Sequence, residues 1–364
     1  MRAALHLEKG KPVQLVDDLE IRDPRAGEVL VRVHACGVCH SDVTVMDLGA
    51  NTPVVLGHEA AGVVEAVGAG VTTHAPGDKV VLTPCPPCGT CYWCVRGEFS
   101  LCKLALGVMT GAFPDGTTGL SHKGQKVFRG LNVAAFAEYT VTQAQGAVVV
   151  PQDTPLDVAC VVGCAVQTGV GAVLNAARVE EGANVFVTGL GGIGLSVVQG
   201  ARLANAAQVI VSDPVGARRE TAKALGATHA IDPTKDDPIA AVHQLTGGIG
   251  ADYAFEAAGV ASLVTQCFFA ARLGGKIIVV GAPPIDQAVT LAPAALVASM
   301  GKTIRGTLLG DCNSVRDIPR FLALWRAGRL DLDALITSRR PLGEINEAVA
   351  DLRAAKGVRT VLAV

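Results

Sequence analysis

Apolar and polar residues alternate from Val29 to Val33 in GEVLVRVHACGVC, the period of a half-buried strand. The same texture predicts short strands elsewhere in residues 1–35, around His58 and Glu59, over Gly77–Leu82 and over Phe136–Val150. Glycine and proline separate them, which predicts a compact, barrel-like β domain. Between them, Gly107–Gly130 is rich in Gly, Thr and Lys and reads as an exposed loop with short hairpins. Near Pro151 the pattern changes. A helix is expected over 155–177, followed by strand NVFVT, a helix from Ile193, strand QVIVS, helix ARRETAKALGA and strand ADYAFEAAG. A helix before Gly274 and strand KIIVVGAPP complete the series. Such alternation predicts a parallel sheet covered on both faces. The tail returns to a helical stretch, DIPRFLALWRAGRLDL, and a closing strand, GVRTVLAV.

At 364 residues, half of them apolar, the chain predicts about two domains and an α/β class. A formal charge of −2 and only 4% aromatic residues give no basis for a nucleic-acid partner. Two uncharged runs, Val158–Ala177 and Gly182–Ala201, resemble membrane spans. Their Gln, Thr, Asn and glycine content reads as buried structure, so no membrane partner is expected. The N-terminus, MRAALHLEKGK, has charges and no apolar h-region, so a cytoplasmic location with reduced cysteines is expected.

Reduced cysteines change the reading of Cys85–Cys102, CPPCGTCYWCVRGEFSLC. Cys88, Cys91, Cys94 and Cys102 have the close spacing that lets thiolates of one loop close a tetrahedral zinc site. A disulfide cluster, the rival, belongs to small secreted domains. Cys85 has no assigned role.

A second motif opens the alternating region. Strand Asn184–Thr188 runs into Gly189-Leu-Gly191-Gly192-Ile193-Gly194 and a helix. These glycines permit a tight turn and close approach of a pyrophosphate, which the helix N-terminus attracts. The next strand ends in Asp213, about twenty residues on, the offset at which a carboxylate binds the adenosine ribose and disfavours a 2′-phosphate. NAD is therefore expected over NADP, although Arg218 and Arg219 follow closely.

Cys39, His58 and Cys164 lie in three separate segments. Taken singly, each reads equally well as core: free cysteine packs as a small hydrophobe. Set in order, however, Cys39-His40-Ser41-Asp42, Gly57-His58-Glu59, the four-cysteine loop, Gly163-Cys164 with Thr168-Gly169, and the glycine turn closely resemble the zinc-dependent medium-chain alcohol dehydrogenases. The resemblance spans essentially the whole chain. It implies a GroES-like catalytic domain (1–165 and 309–364) and a Rossmann NAD-binding domain (166–308). It implies two zinc ions: a catalytic one on Cys39, His58 and Cys164, with one position open, and a structural one on the cysteine loop. Alcohol dehydrogenase is a standard example of the Cys2His catalytic set.

The resemblance further implies that Ser41 relays the alcohol's proton, that Asp42 orients His58, and that Glu59 stands behind the metal. It places His40, Thr168, Ile193, Arg218 and Arg359 against the cofactor, with Ala282, Thr307 and Leu309 near its carboxamide. It implies reversible oxidation of primary or aromatic alcohols to aldehydes in a homodimer or homotetramer. Two positions depart from well-known members. Thr44 stands where their relay ends in histidine, and His40 replaces a phosphate-binding arginine. The segment Cys102–Tyr139 is most like actinobacterial members, some of which keep NAD bound and exchange electrons with a second substrate. The alternatives are such a nicotinoprotein, a formaldehyde dehydrogenase acting on a glutathione or mycothiol adduct (whose cationic pocket His40 and Thr44 do not supply and for which Arg129 is a weak candidate), and a non-catalytic relative.

Overall fold

The structure is a computed structural model that describes residues 1–49, 51–291 and 293–364. It divides into two units: Met1–Cys164 with Asn313–Gly328 and Leu332–Val364, and Ala165–Cys312 with Arg329–Asp331.

The first unit is built on two sheets. The six-stranded one runs Gln14–Val16, Ala3–His6, Val54–Val55, Gln125–Arg129, Leu120–His122, Glu20–Ile21. The seven-stranded one runs Ala147–Val149, Lys79–Leu82, Glu59–Val67, Glu28–Gly37, Thr360–Ala363, Ser338–Pro341, with Tyr139–Gln143 also pairing on Glu28–Gly37. Along Glu28–Gly37 the alternation holds: Val29, Val31, Val33 and Ala35 are buried, while Arg32 and His34 face solvent. Val29, Val31 and Val33 join Leu5, Val55, Phe136 and Leu362 in one apolar core. The stretch expected as an exposed loop with short hairpins contains one hairpin, Leu120–His122 and Gln125–Arg129, joined at Lys123-Gly124 with positive φ at both, and both its strands enter the sheet.

One histidine departs from expectation. His6, which like His34, His74, His122, His229 and His243 reads as a surface or turn residue in the sequence, is 1% exposed. Ala3–His6 has a neighbour on both edges, Gln14–Val16 and Val54–Val55, and all four of its residues are covered.

The second unit carries a six-stranded, all-parallel sheet ordered His229–Ile231, Gln208–Ser212, Asn184–Thr188, Ala251–Glu256, Ala271–Val279, Thr303–Gly306. In chain order this is 3-2-1-4-5-6, the doubly wound Rossmann arrangement. Its central strands are apolar on both faces, as cover by helices on both sides requires. The run Gly182–Ala201 splits as expected into a strand and the helix Gly192–Leu203.

The helix expected over 155–177 is not continuous. It breaks at Cys164, whose φ −138° and ψ −73° lie outside the helical region. Among the described residues no single helix is long and apolar enough to cross a membrane. The bent pair Leu156–Gly163 and Ala165–Ala177 passes by length and composition, but its residues are almost all buried in the protein.

Candidate active site and metal centres

The first unit brings Cys39, His58 and Cys164 together, with their ligand atoms within 4.8 Å of one another and all three residues buried. Cys39 ends the loop after Glu28–Gly37 and caps the helix His40–Leu48. Asp42, three residues on, closes a capping box: its Oδ2 accepts the Cys39 N–H at 3.0 Å. Its Oδ1 accepts the Gly57 N–H at 3.0 Å and faces His58 Nδ1 at 3.1 Å. One fully buried carboxylate therefore ties two distant segments to each other. Gly57 is required there, because φ is +87° and a Cβ would lie 2.6 Å from the Phe136 ring.

Burial works against a charge on His58, but Asp42 and Cys39 outweigh it and raise the imidazole's pKa. The hydrogen bond from Cys164, foremost, lowers the Cys39 pKa well below the usual thiol range. Two sulfurs and an imidazole at this separation suit a zinc ion, and three protein ligands leave a fourth position for another group. Behind them Glu59, fully buried, forms an ion pair with Arg359 at 2.8 Å.

Arg359, which the resemblance places against the pyrophosphate, lies beside the metal cluster. It is 3% exposed, its Nε faces Glu59, and its Nη1 donates to the Val38 carbonyl at 2.6 Å. The resemblance implied both residues; no spacing signal reports their pairing. Ser41 is half-buried, its Oγ 3.8 Å from Cys39 Sγ. Thr44 donates its hydroxyl to the His40 carbonyl one turn back, and His40 is exposed.

The four cysteines of the loop also converge. The ligand atoms of Cys88, Cys91, Cys94 and Cys102 lie within 4.8 Å of one another, and all are free thiols. Cys91 and Cys102 sulfurs are 3.8 Å apart, matching the edge of a zinc tetrahedron with Zn–S of about 2.3 Å, which is about 3.8 Å. Backbone N–H groups already point at the sulfurs: Cys91 on Cys88, Cys88 and Leu104 on Cys102. The Lys103 N–H, foremost, holds the Cys91 thiol down to about 6, while burial pushes Cys102 up to about 12. Cys85 lies outside the cluster, buried and pushed up to about 12 by desolvation. Cys160, Cys267 and Cys312 are buried thiols in neither group. Cys102→Ser should lower the zinc content from two to one per chain. It should also lower the thermal midpoint, because a structural zinc contributes folding free energy directly. Metal analysis with a melting curve checks this; unchanged zinc would remove the structural site.

In the second unit the glycine turn has the form its motif demands. Gly189 has φ +82°, and a Cβ on Gly194 would sit 1.8 Å from the Gly189 carbonyl oxygen. Asp213, 4% exposed, reaches back to this turn: its Oδ2 accepts the Leu190 N–H at 2.7 Å and its Oδ1 the Val215 N–H at 2.8 Å. Gly191 and Ile193 are half-buried and Gly192 is buried at the start of the following helix. Arg218 lies on the helix Gly216–Leu225, half-buried. Arg219 is committed elsewhere, donating to the Asp213 carbonyl and to Asp232. Thr168 is buried in Ala165–Gly171. Ala282 is exposed after Ala271–Val279. The last strand of this sheet, Thr303–Gly306, ends just before Thr307. Thr307 donates to Asp311 at 2.7 Å, and Leu309 takes a positive φ in a tight turn.

Arg129 supplies no cationic pocket for a thiol adduct. It is 1% exposed, donates to Asn132 and to the Val141 carbonyl, and stacks over Phe113 at 4.0 Å.

Residues 25–152 match the alcohol dehydrogenase GroES-like domain and residues 192–326 the zinc-binding dehydrogenase domain. An NDMA-dependent alcohol dehydrogenase of Amycolatopsis methanolica is 39% identical over 99% of this chain and 98% of its own. Among solved structures, an alcohol dehydrogenase zinc-binding domain protein of Burkholderia ambifaria is 38% identical. It covers 100% of this chain and 98% of its own at TM-score 0.94. A benzyl alcohol dehydrogenase of Acinetobacter calcoaceticus is 34% identical over 100% and 99% at TM-score 0.93. Two candidate zinc sites, a GroES-like domain and an all-parallel Rossmann sheet thus come with close relatives along the full length, and the chain belongs to the zinc-dependent medium-chain alcohol dehydrogenases.

Proposed function

We propose that the chain reversibly oxidises primary and aromatic alcohols to aldehydes, passing hydride to NAD. The convergence of Cys39, His58 and Cys164 from three segments carries this reading. When bound there, zinc supplies a Lewis acid that lowers the alcohol's pKa, and NAD on the glycine turn supplies the hydride acceptor. The chain's own residues set the stage. Asp42 fixes His58 and the Cys39 backbone, so neither ligand rotates away. Ser41 stands beside Cys39 and takes the substrate proton. Thr44 has no basic group and its hydroxyl is occupied, so the proton leaves Ser41 to water. Arg359 balances the negative charge of Glu59 and the thiolates.

Asp213 supports NAD over NADP. Asp213→Ala should weaken NADH binding roughly 10- to 100-fold, as loss of charge-assisted hydrogen bonds does. It should also narrow the NAD/NADP preference by a similar factor. Fluorescence titration with both nucleotides measures it; an unchanged preference would assign specificity elsewhere.

A second reading keeps NAD bound through turnover and reoxidises it in place with another substrate. The Amycolatopsis methanolica relative, named as NDMA-dependent, favours it. Purified protein is assayed with benzyl alcohol and ethanol, adding NAD, NADP or NDMA. NADH release with free NAD supports exchange, and turnover with NDMA alone supports retention. No oxidation under any combination removes both readings. The proposal includes a cytoplasmic homodimer or homotetramer; the edge strand Thr303–Gly306 is exposed along its length, as a pairing edge would be. Light scattering reads that state.

A further inference from the structure

In the second unit the strand order reverses between Asn184–Thr188 and Ala251–Glu256, and in doubly wound sheets the ligand crevice opens at the carboxyl ends of the strands flanking such a reversal. Glu256 ends one of those two strands and is 0% exposed. Its Oε1 accepts three successive backbone N–H groups, from Ala258 and Gly259 at 2.8 Å and from Val260 at 3.2 Å. Its Oε2 is buried with no hydrogen-bond partner. A buried carboxylate with an unsatisfied oxygen costs free energy and calls for a reason.

The loop it holds supplies one. Ala257 N–H bonds to the Thr188 carbonyl at 2.9 Å, and the Glu256 carbonyl accepts Val280 and Gly281, each at 2.9 Å. The loop is thus strung between the ends of three adjacent strands. It also forms the seat of the phosphate turn. A Cβ on Gly189 would lie 2.7 Å from Ala258 Cβ. A Cβ on Gly281 would lie 2.2 Å from Gly259 N and 2.7 Å from Glu256 Oε2. No free volume separates the carboxylate, its loop and the first glycine of the turn, so a displacement of one is passed to the others.

We infer that Glu256 is a positioning residue for the dinucleotide: it pins the loop Ala257–Val260, against which the pyrophosphate-binding turn is braced, without touching the cofactor itself. This rests on the reading that the second unit binds NAD. Shortening the side chain removes the three bonds together, whereas an isosteric amide keeps its oxygen in place.

The test uses full-length, zinc-loaded protein stripped of nucleotide with charcoal and titrated with NADH by fluorescence. Glu256→Asn should weaken NADH binding by at least about tenfold, and Glu256→Gln should stay within about threefold of wild type. Gly281→Ala should reproduce the Asn loss by pushing on the loop. Zinc content should be unchanged in all three, since both candidate metal groups lie in the first unit. If wild type binds neither NADH nor NADPH, the proposed function falls first. If wild type binds and Glu256→Asn binds equally well, only this inference falls. Should the Asn variant fail to fold, a loss above about tenfold in Glu256→Gln, or none in Gly281→Ala, overturns it.

Discussion

Cys39→Ala should lower alcohol oxidation by on the order of 10³-fold or more, because a lost Lewis acid removes several kcal/mol of transition-state stabilisation. Zinc should fall from two to one per chain, and NADH binding should persist. The reasons are local. Among the described residues Cys39 supplies one of three ligand atoms that lie within 4.8 Å of one another, and the neighbouring Cys164 lowers its pKa. Its loss leaves a thiol and an imidazole, too few for a tight zinc site. The dinucleotide turn is built entirely within the other unit and keeps its form. Asp42→Asn makes a graded comparison. The amide keeps one oxygen, so it still orients either His58 or the Cys39 backbone but not both as an anion. An outer-shell loss of about 10- to 100-fold is expected. Full activity in metal-depleted Cys39→Ala would end the proposed mechanism.

Arg359→Met should destabilise the protein by roughly 3–5 kcal/mol, the cost of leaving one partner of a buried ion pair unpaired. Glu59 is 0% and Arg359 3% exposed, so neither charge is relieved by water. The substitution keeps volume, which separates charge from packing. It also removes the Arg359 bond to the Val38 carbonyl, while the Val38 N–H bond to Thr360 remains. The double variant Glu59→Gln, Arg359→Met should be more stable than the two single losses predict by addition, since no lone charge stays buried. Urea midpoints at fixed zinc concentration read this cycle. Strict additivity would mean that the pair is not coupled.

Legibility followed the distance along the chain over which each feature is written. The parallel sheet was legible because each strand and helix carries its own period, and the glycine turn because its constraints fall within six neighbouring residues, Gly189–Gly194. The cysteine loop was legible for the same reason, its ligands all lying between Cys88 and Cys102. Cys39, His58 and Cys164 had no such signal, and only their likeness to a family singled them out. His6 was misread because polarity alone does not report a strand covered on both faces and paired on both edges. The break at Cys164 was missed because an apolar run gives no sign of where a helix must turn.

By itself the amino-acid order determined the class of fold, the loop able to chelate a metal and the turn able to cradle a pyrophosphate, since each depends on short-range periodicity or spacing. Only the folded chain decided that Asp42 ties together two ligand segments, that Arg359 faces Glu59 rather than solvent, and that Glu256 braces the phosphate turn. Those contacts join residues whose separation along the chain carries no period. They come into being only when strands pair and loops close.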